Sequence, residues 1–216
     1  MSGAAAAHHA PFVARLRENL ARDPYAAYVA LATVERGRDG SIVPRARTVV
    51  FEGFSRDDED RFGLAVKLSA DSNKYAKRVS DQVELCWWFA SSRVQFRIRG
   101  PMRFDVSEDG AARNAVWREL APGDRAQFFY PADTLAASHS ADAYKRQREA
   151  FDRSRGEIPP NFCVGVLVPV EVDVLGLNDS SRTLWRRASV DDAVWEEHFG
   201  FAPPVLSADA LVDARS

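Results

Sequence analysis

The residues of this chain that could grip an anion are few and scattered. Arg47 stands in the stretch 45–54, Ser72 and Lys74 come at the start of a helical pattern, Gln95 lies in an alternating run, and Arg182 and Arg186 come late. Arginine, lysine and a serine hydroxyl can together hold a phosphate. Gln95 offers a donor and an acceptor, which suits an amide or heterocycle edge. Read with period two, Arg45, Arg47, Val49 and Phe51 face one way, while Ala46, Thr48, Val50 and Glu52 face the other. Two arginines beside two large apolar residues suit a flat, partly apolar anion. The rival reading leaves both arginines in water at the start of the strand. Lys74 opposes the dipole of its helix start, which favours a nearby anion; a solvated surface lysine would look the same.

The elements that must position these residues follow from periodicity. Residues 11–20 carry Phe12, Leu16 and Leu20 at helical spacing. Strands are expected at 28–34, at 45–52 with Gly53 closing it, at 62–68, 83–90 and 94–106, then at 162–168, 170–175 and 183–190. Gly37, Asp39 and Gly40 mark a hairpin. Helices are expected at 69–80, after a Ser107-Glu108-Asp109 cap, and at 141–155. Trp195 and Phe199 fit a short helix, and Pro159-Pro160 breaks the chain. About six or seven strands in hairpin order, with helices between some of them, argue a mainly β chain with an antiparallel barrel.

The totals narrow the classes. The chain has 216 residues, 46% of them apolar and 28% charged, with a net charge of -2, so no global pull toward nucleic acid or anionic membrane exists. No stretch approaches a membrane span. Cys86 and Cys163 sit in apolar runs, as buried thiols of a reducing, cytoplasmic compartment would. There is no phosphate loop, Rossmann fingerprint, zinc-spaced Cys/His set or nucleophile elbow. Residues 1–10 and 207–216 read as loose tails around one domain at 11–206.

Residues 28–54, with Leu31-Ala32-Thr33-Val34 and Arg47-Thr48-Val49-Val50-Phe51-Glu52-Gly53-Phe54, resemble the pyridoxamine 5′-phosphate oxidase-like family of FMN-binding split barrels, and within it an Alr4036-type branch. Ser72-Asn73-Lys74, Leu85-Cys86-Trp87-Trp88-Phe89, the run 92–100 and the segment from Trp117 to Pro131 carry the resemblance on. It implies an antiparallel split β-barrel of FMN-binding type, and a homodimer with FMN in a cleft between protomers. Arg47, Thr48, Val49 and Val50 would lie along the flavin. Arg47, Ser72 and Lys74 would hold its phosphate, Gln95 would reach the ring edge, Arg186 would serve the cofactor and Arg182 the substrate.

Some positions depart from the family pattern. Glu52 stands where relatives carry a basic residue, Asp71 where the branch carries arginine, and Leu175 where the oxidase has tryptophan. A carboxylate at 52 would repel a phosphorylated pyridoxamine. The expectation is therefore an FMN-dependent oxidoreductase-like protein of unassigned substrate. The alternatives are a genuine pyridoxamine/pyridoxine 5′-phosphate oxidase and a non-enzymatic barrel with weakened flavin binding. Deazaflavin or haem in place of FMN stays open.

Overall fold

The computed structural model describes residues 10–23, 25–56, 61–70, 79–130 and 141–201. Helix α1 is Val13–Arg22. The strands are β1 Tyr28–Arg36, β2 Ile42–Arg56, β3 Phe62–Ser69, β4 Gln82–Phe89, β5 Val94–Asp105, β6 Phe162–Leu167, β7 Glu171–Gly176, β8 Ser181–Arg186 and β9 Glu196–Phe201. Between β5 and β6 lie α2 (Ala111–Glu119), α3 (Pro122–Ala126), a 3-10 turn (Gln127–Phe129) and α4 (Ala141–Arg153).

Every strand pairing is antiparallel. The order is β4-β1-β2-β3-β6-β5, which returns to β4, and β7, β8 and β9 extend from β5. The result is an antiparallel sheet with a few helices. β5 is the shared member. Its residues from Val94 to Arg99 pair with β7, and those from Met102 to Asp105 pair with β6. β6 and β7 follow each other along that edge, where Val168 N donates to Pro101 O (2.9 Å) and Val170 N to Arg99 O (2.8 Å). Gly100 permits this approach, because a Cβ there would lie 2.0 Å from Val168 O.

Opposed residues in antiparallel strands share a face. One row runs Leu31, Leu85, Ile98, Val172 and Trp185 across five strands. All are buried, with Phe12 at the N-cap of α1 and Val13 and Leu16 within it against the same core. Fully burying each such side chain contributes about 1.5–3 kcal/mol. A second core lies where Ala112, Val116 and Trp117 of α2 meet Phe162, Val164 and Val166 of β6.

Several local expectations are corrected. Among the described residues the sheet has nine strands, not six or seven. Gly53 does not end its strand. It has φ +114° and sits at a register shift between Phe51 and Gly53, a bulge that β2 continues through. Ser107-Glu108-Asp109 does not cap α2, whose N-cap is Gly110 without a side-chain hydrogen bond. Asp105 takes part of that role by accepting from Arg113 N at 3.0 Å. The Trp195–Phe199 segment is not a helix, because residues 196–201 complete the sheet against β8. The last predicted strand ends at Arg186, four residues early. The helix expected at 69–80 falls largely outside the described residues.

Candidate functional site

The outward face of β4, β5, β7 and β8 carries a polar ladder. One row reads Glu84, Arg99, Glu171, Arg186; the next reads Cys86, Arg97, Asp173, Leu184; a third reads Trp88, Gln95, Leu175, Arg182. Gln95, Arg182 and Arg186 thus share one face. Alternation puts them there, since Phe96, Ile98, Val172, Val174, Thr183 and Trp185 between them point into the core.

The ladder is held by ion pairs. Arg182 Nε donates to Asp173 Oδ1 (2.9 Å) and its Nη2 to Asp173 Oδ2 (2.8 Å), a bidentate contact. Arg97 donates to the same carboxylate. Burial alone would raise the Asp173 pKa, but hydrogen bonds from Arg182 and Arg97 outweigh it and hold the carboxyl below its ordinary value. Glu171 Oε2 accepts from Arg186 Nε at 2.6 Å and from Arg99 Nη2 at 3.1 Å. Beside this pair opens a groove of about 570 Å³, lined by Arg99, Arg103, Arg186 and Arg187 with Asp81 and Glu171 among its acids. Arg187 is fixed by Pro169 O (2.6 Å) and Asp192 O (3.1 Å) and lies over the Trp195 ring. Burial pulls its pKa below the ordinary arginine value, against the opposing pull of Asp192 and Asp191.

Arg47 points the other way. It is opposed to Leu31 on β1, so its side chain leaves the inward face of the β1–β2 pair, where the row of core residues gives way to polar ones. Its guanidinium donates to Thr33 Oγ1 and to Glu35, and reaches Arg45 O at 3.4 Å. Glu35 and Thr33 are both buried. Thr48 and Val50 face outward, while the Val49 side chain is in the core, so Val49 can offer a ligand only its backbone. Ser72, Lys74 and Asp71 lie outside the described residues.

Glu52 emerges at the β2 bulge and meets Lys67 of β3, with Nζ 2.8 Å from Oε1 but off the hydrogen-bonding direction. Lys67 also contacts Asp124 of α3 at 3.2 Å. One lysine between two carboxylates leaves this trio net negative. The sequence reading missed Lys67, Glu35, Glu171 and Asp173. The last two had a signal: acids alternate along β7 as arginines alternate along β5, and such strands are natural neighbours.

A mostly antiparallel sheet with an arginine-rich outward ladder defines a class, and comparison with known proteins gives the family. Residues 7–105 match the family model described as pyridoxamine 5′-phosphate oxidase, FMN-binding domain. Pyridoxine/pyridoxamine 5′-phosphate oxidase 2 of Arabidopsis thaliana is 30% identical over 163 residues, 73% of this chain and 77% of the relative. A pyridoxamine 5′-phosphate oxidase-related, FMN binding protein from Nostoc punctiforme superposes with a TM-score of 0.71 at 30% identity, over 88% of this chain and 97% of that one. PhzG from Burkholderia lata, solved with tetrahydrophenazine-1-carboxylic acid, has a TM-score of 0.67 at 18% identity over 88% and 90% of the two chains, a likeness of fold alone. The chain belongs to the pyridoxamine 5′-phosphate oxidase-like family of FMN-binding proteins, and FMN is the cofactor of the domain it carries.

Proposed function

We propose that this protein is an FMN-dependent oxidoreductase that works as a homodimer, with the cofactor cleft at the interface and a substrate other than a phosphorylated pyridoxamine. The observation that carries the reading is the division of the candidate site residues between two faces. Gln95, Arg182 and Arg186 stand on the outward ladder, whereas Arg47 leaves the sheet by the opposite face. A second copy supplying one half of the site resolves that division. Trp88, 48% exposed on the outward face, supports an interface there. No helix among the described residues is long and apolar enough to cross a membrane, and Cys86 and Cys163, not joined in a disulfide, support a cytoplasmic setting.

The residues present fit FMN. Arg47, its side chain still 22% exposed, offers the phosphate a cation, and the arginine-rich groove on the other face lies beside Arg186. Arg47, Ser72 and Lys74 would hold the phosphate, and Thr48, Val49 and Val50 would run beside the ring system. Gln95 would meet the ring's polar edge, Arg186 would serve the cofactor and Arg182 the substrate. Bound FMN supplies hydride or electron transfer; the protein's part is orientation, charge and exclusion of water. Glu52 and Asp124, only partly neutralised by Lys67, disfavour a phosphate-bearing substrate near them. Purified protein should show the two-banded flavin absorbance or gain it on FMN titration. Protein that stays colourless and leaves added FMN fluorescence unchanged overturns the reading.

A second reading, a genuine pyridoxamine/pyridoxine 5′-phosphate oxidase, is favoured by the name of the Arabidopsis relative. Incubation of FMN-loaded protein with pyridoxamine 5′-phosphate and oxygen separates the two. No pyridoxal 5′-phosphate is expected, and its formation would put the second reading first.

A further inference from the structure

We infer that Glu35 and Thr33 are positioning residues for Arg47, holding its guanidinium ready for the phosphate of FMN. The inference rests on the proposed phosphate role of Arg47. From its place opposite Leu31, Arg47 reaches along β1 to the residues two and four further on. There its Nη1 donates to Thr33 Oγ1 and its Nη2 to Glu35 Oε1. The Thr33 hydroxyl in turn donates to Glu35 Oε1 at 3.2 Å, so the three side chains close a ring of contacts in which each constrains the other two.

The placement is costly unless it serves something. Glu35 is 5% exposed, and a carboxylate so placed needs a cation. Arg47 satisfies it while its side chain remains 22% exposed, so the guanidinium is anchored from one side and open on the other. A guanidinium carries five N–H donors in a fixed fork. Those facing Thr33, Glu35 and the Arg45 carbonyl are taken, and the remainder, on Nε and Nη2, can meet an incoming phosphate. The rotamer freedom that a free arginine would lose on binding is already lost at folding. A solvated strand-end arginine would have none of this.

The test compares FMN with riboflavin, which keeps the ring system and lacks the phosphate, by titration of purified protein. Wild type should prefer FMN. Glu35→Gln should lose about tenfold in FMN affinity and keep riboflavin affinity within about twofold. FMN affinity that is unchanged or tighter, or an equal loss toward both ligands, overturns the role. Should Glu35→Gln fail to fold, by circular dichroism, Thr33→Val carries the same comparison. An FMN-selective loss of about threefold supports the role, and no selective loss overturns it. Wild-type protein that binds both ligands alike removes the phosphate role of Arg47 itself, a failure visible before any variant is made.

Discussion

At the scale of the residue, Arg47 and Glu35 cannot be altered singly without a second effect. Arg47→Ala removes the proposed phosphate donor and also leaves a buried carboxylate without its cation. Breaking a buried pair in this way costs about 3–5 kcal/mol. Urea unfolding of Arg47→Ala should show that loss, and Arg47→Ala combined with Glu35→Gln should recover more than half of it while FMN binding stays weak. That separation of stability from binding is the measurement to make. That Arg47 shares a strand face with the apolar Val49 was legible from alternation. Glu35 was not, because it stands beside the Gly37 turn and reads as a solvated strand end. Its burial depends on what the Arg47 side chain covers, and no local pattern encodes that.

At the scale of the element, two contacts make separable predictions. Asp173, buried between Arg97 and Arg182, has a lowered folded-state pKa. Its stabilising contribution is therefore complete above the unfolded value near 3.9 and is lost as pH falls through the lower folded value. Acid unfolding followed between about pH 5 and pH 2 should be less steep in Asp173→Asn than in wild type. Arg113 of α2 is buried, donating through Nε to Phe162 O (2.9 Å), Nη1 to Ser107 O (3.3 Å) and Nη2 to Pro159 O (2.9 Å). Arg113→Met should cost about 3 kcal/mol or more in urea unfolding, because buried carbonyls lose their donors. Most strands were legible from alternation, the 94–100 run most plainly. β9 was not. Trp195 and Phe199 stand four apart and imitate a helix, whereas an edge strand needs no apolar alternation, and Phe199 is 80% exposed.

At the scale of the whole molecule, the outward ladder should be where copies meet. Trp88→Glu places a charge on that face in place of its exposed tryptophan, opposite Gln95. Light scattering is expected to shift from dimer to monomer mass, with circular dichroism unchanged and FMN affinity reduced at least tenfold. A Trp88→Glu protein that stays dimeric would show that the contact lies elsewhere. Fold and family were legible from motifs distributed over most of the chain. The assignment of Arg47 to one sheet face and Gln95 to the other was not, since it arises from the register of β1 with β4 and β4 with β5.

The contact between Gly100 and Val168 O gives position 100 an influence out of proportion to its size. The peptide that passes there leaves the closed circuit of strands and within a few residues becomes the backbone that carries Glu171 and Asp173. One added methyl at position 100 would act as a wedge driven into a seam, tilting the two acids away from their arginines while loosening the wall behind them. Gly100→Ala should therefore weaken flavin retention and lower the melting temperature together.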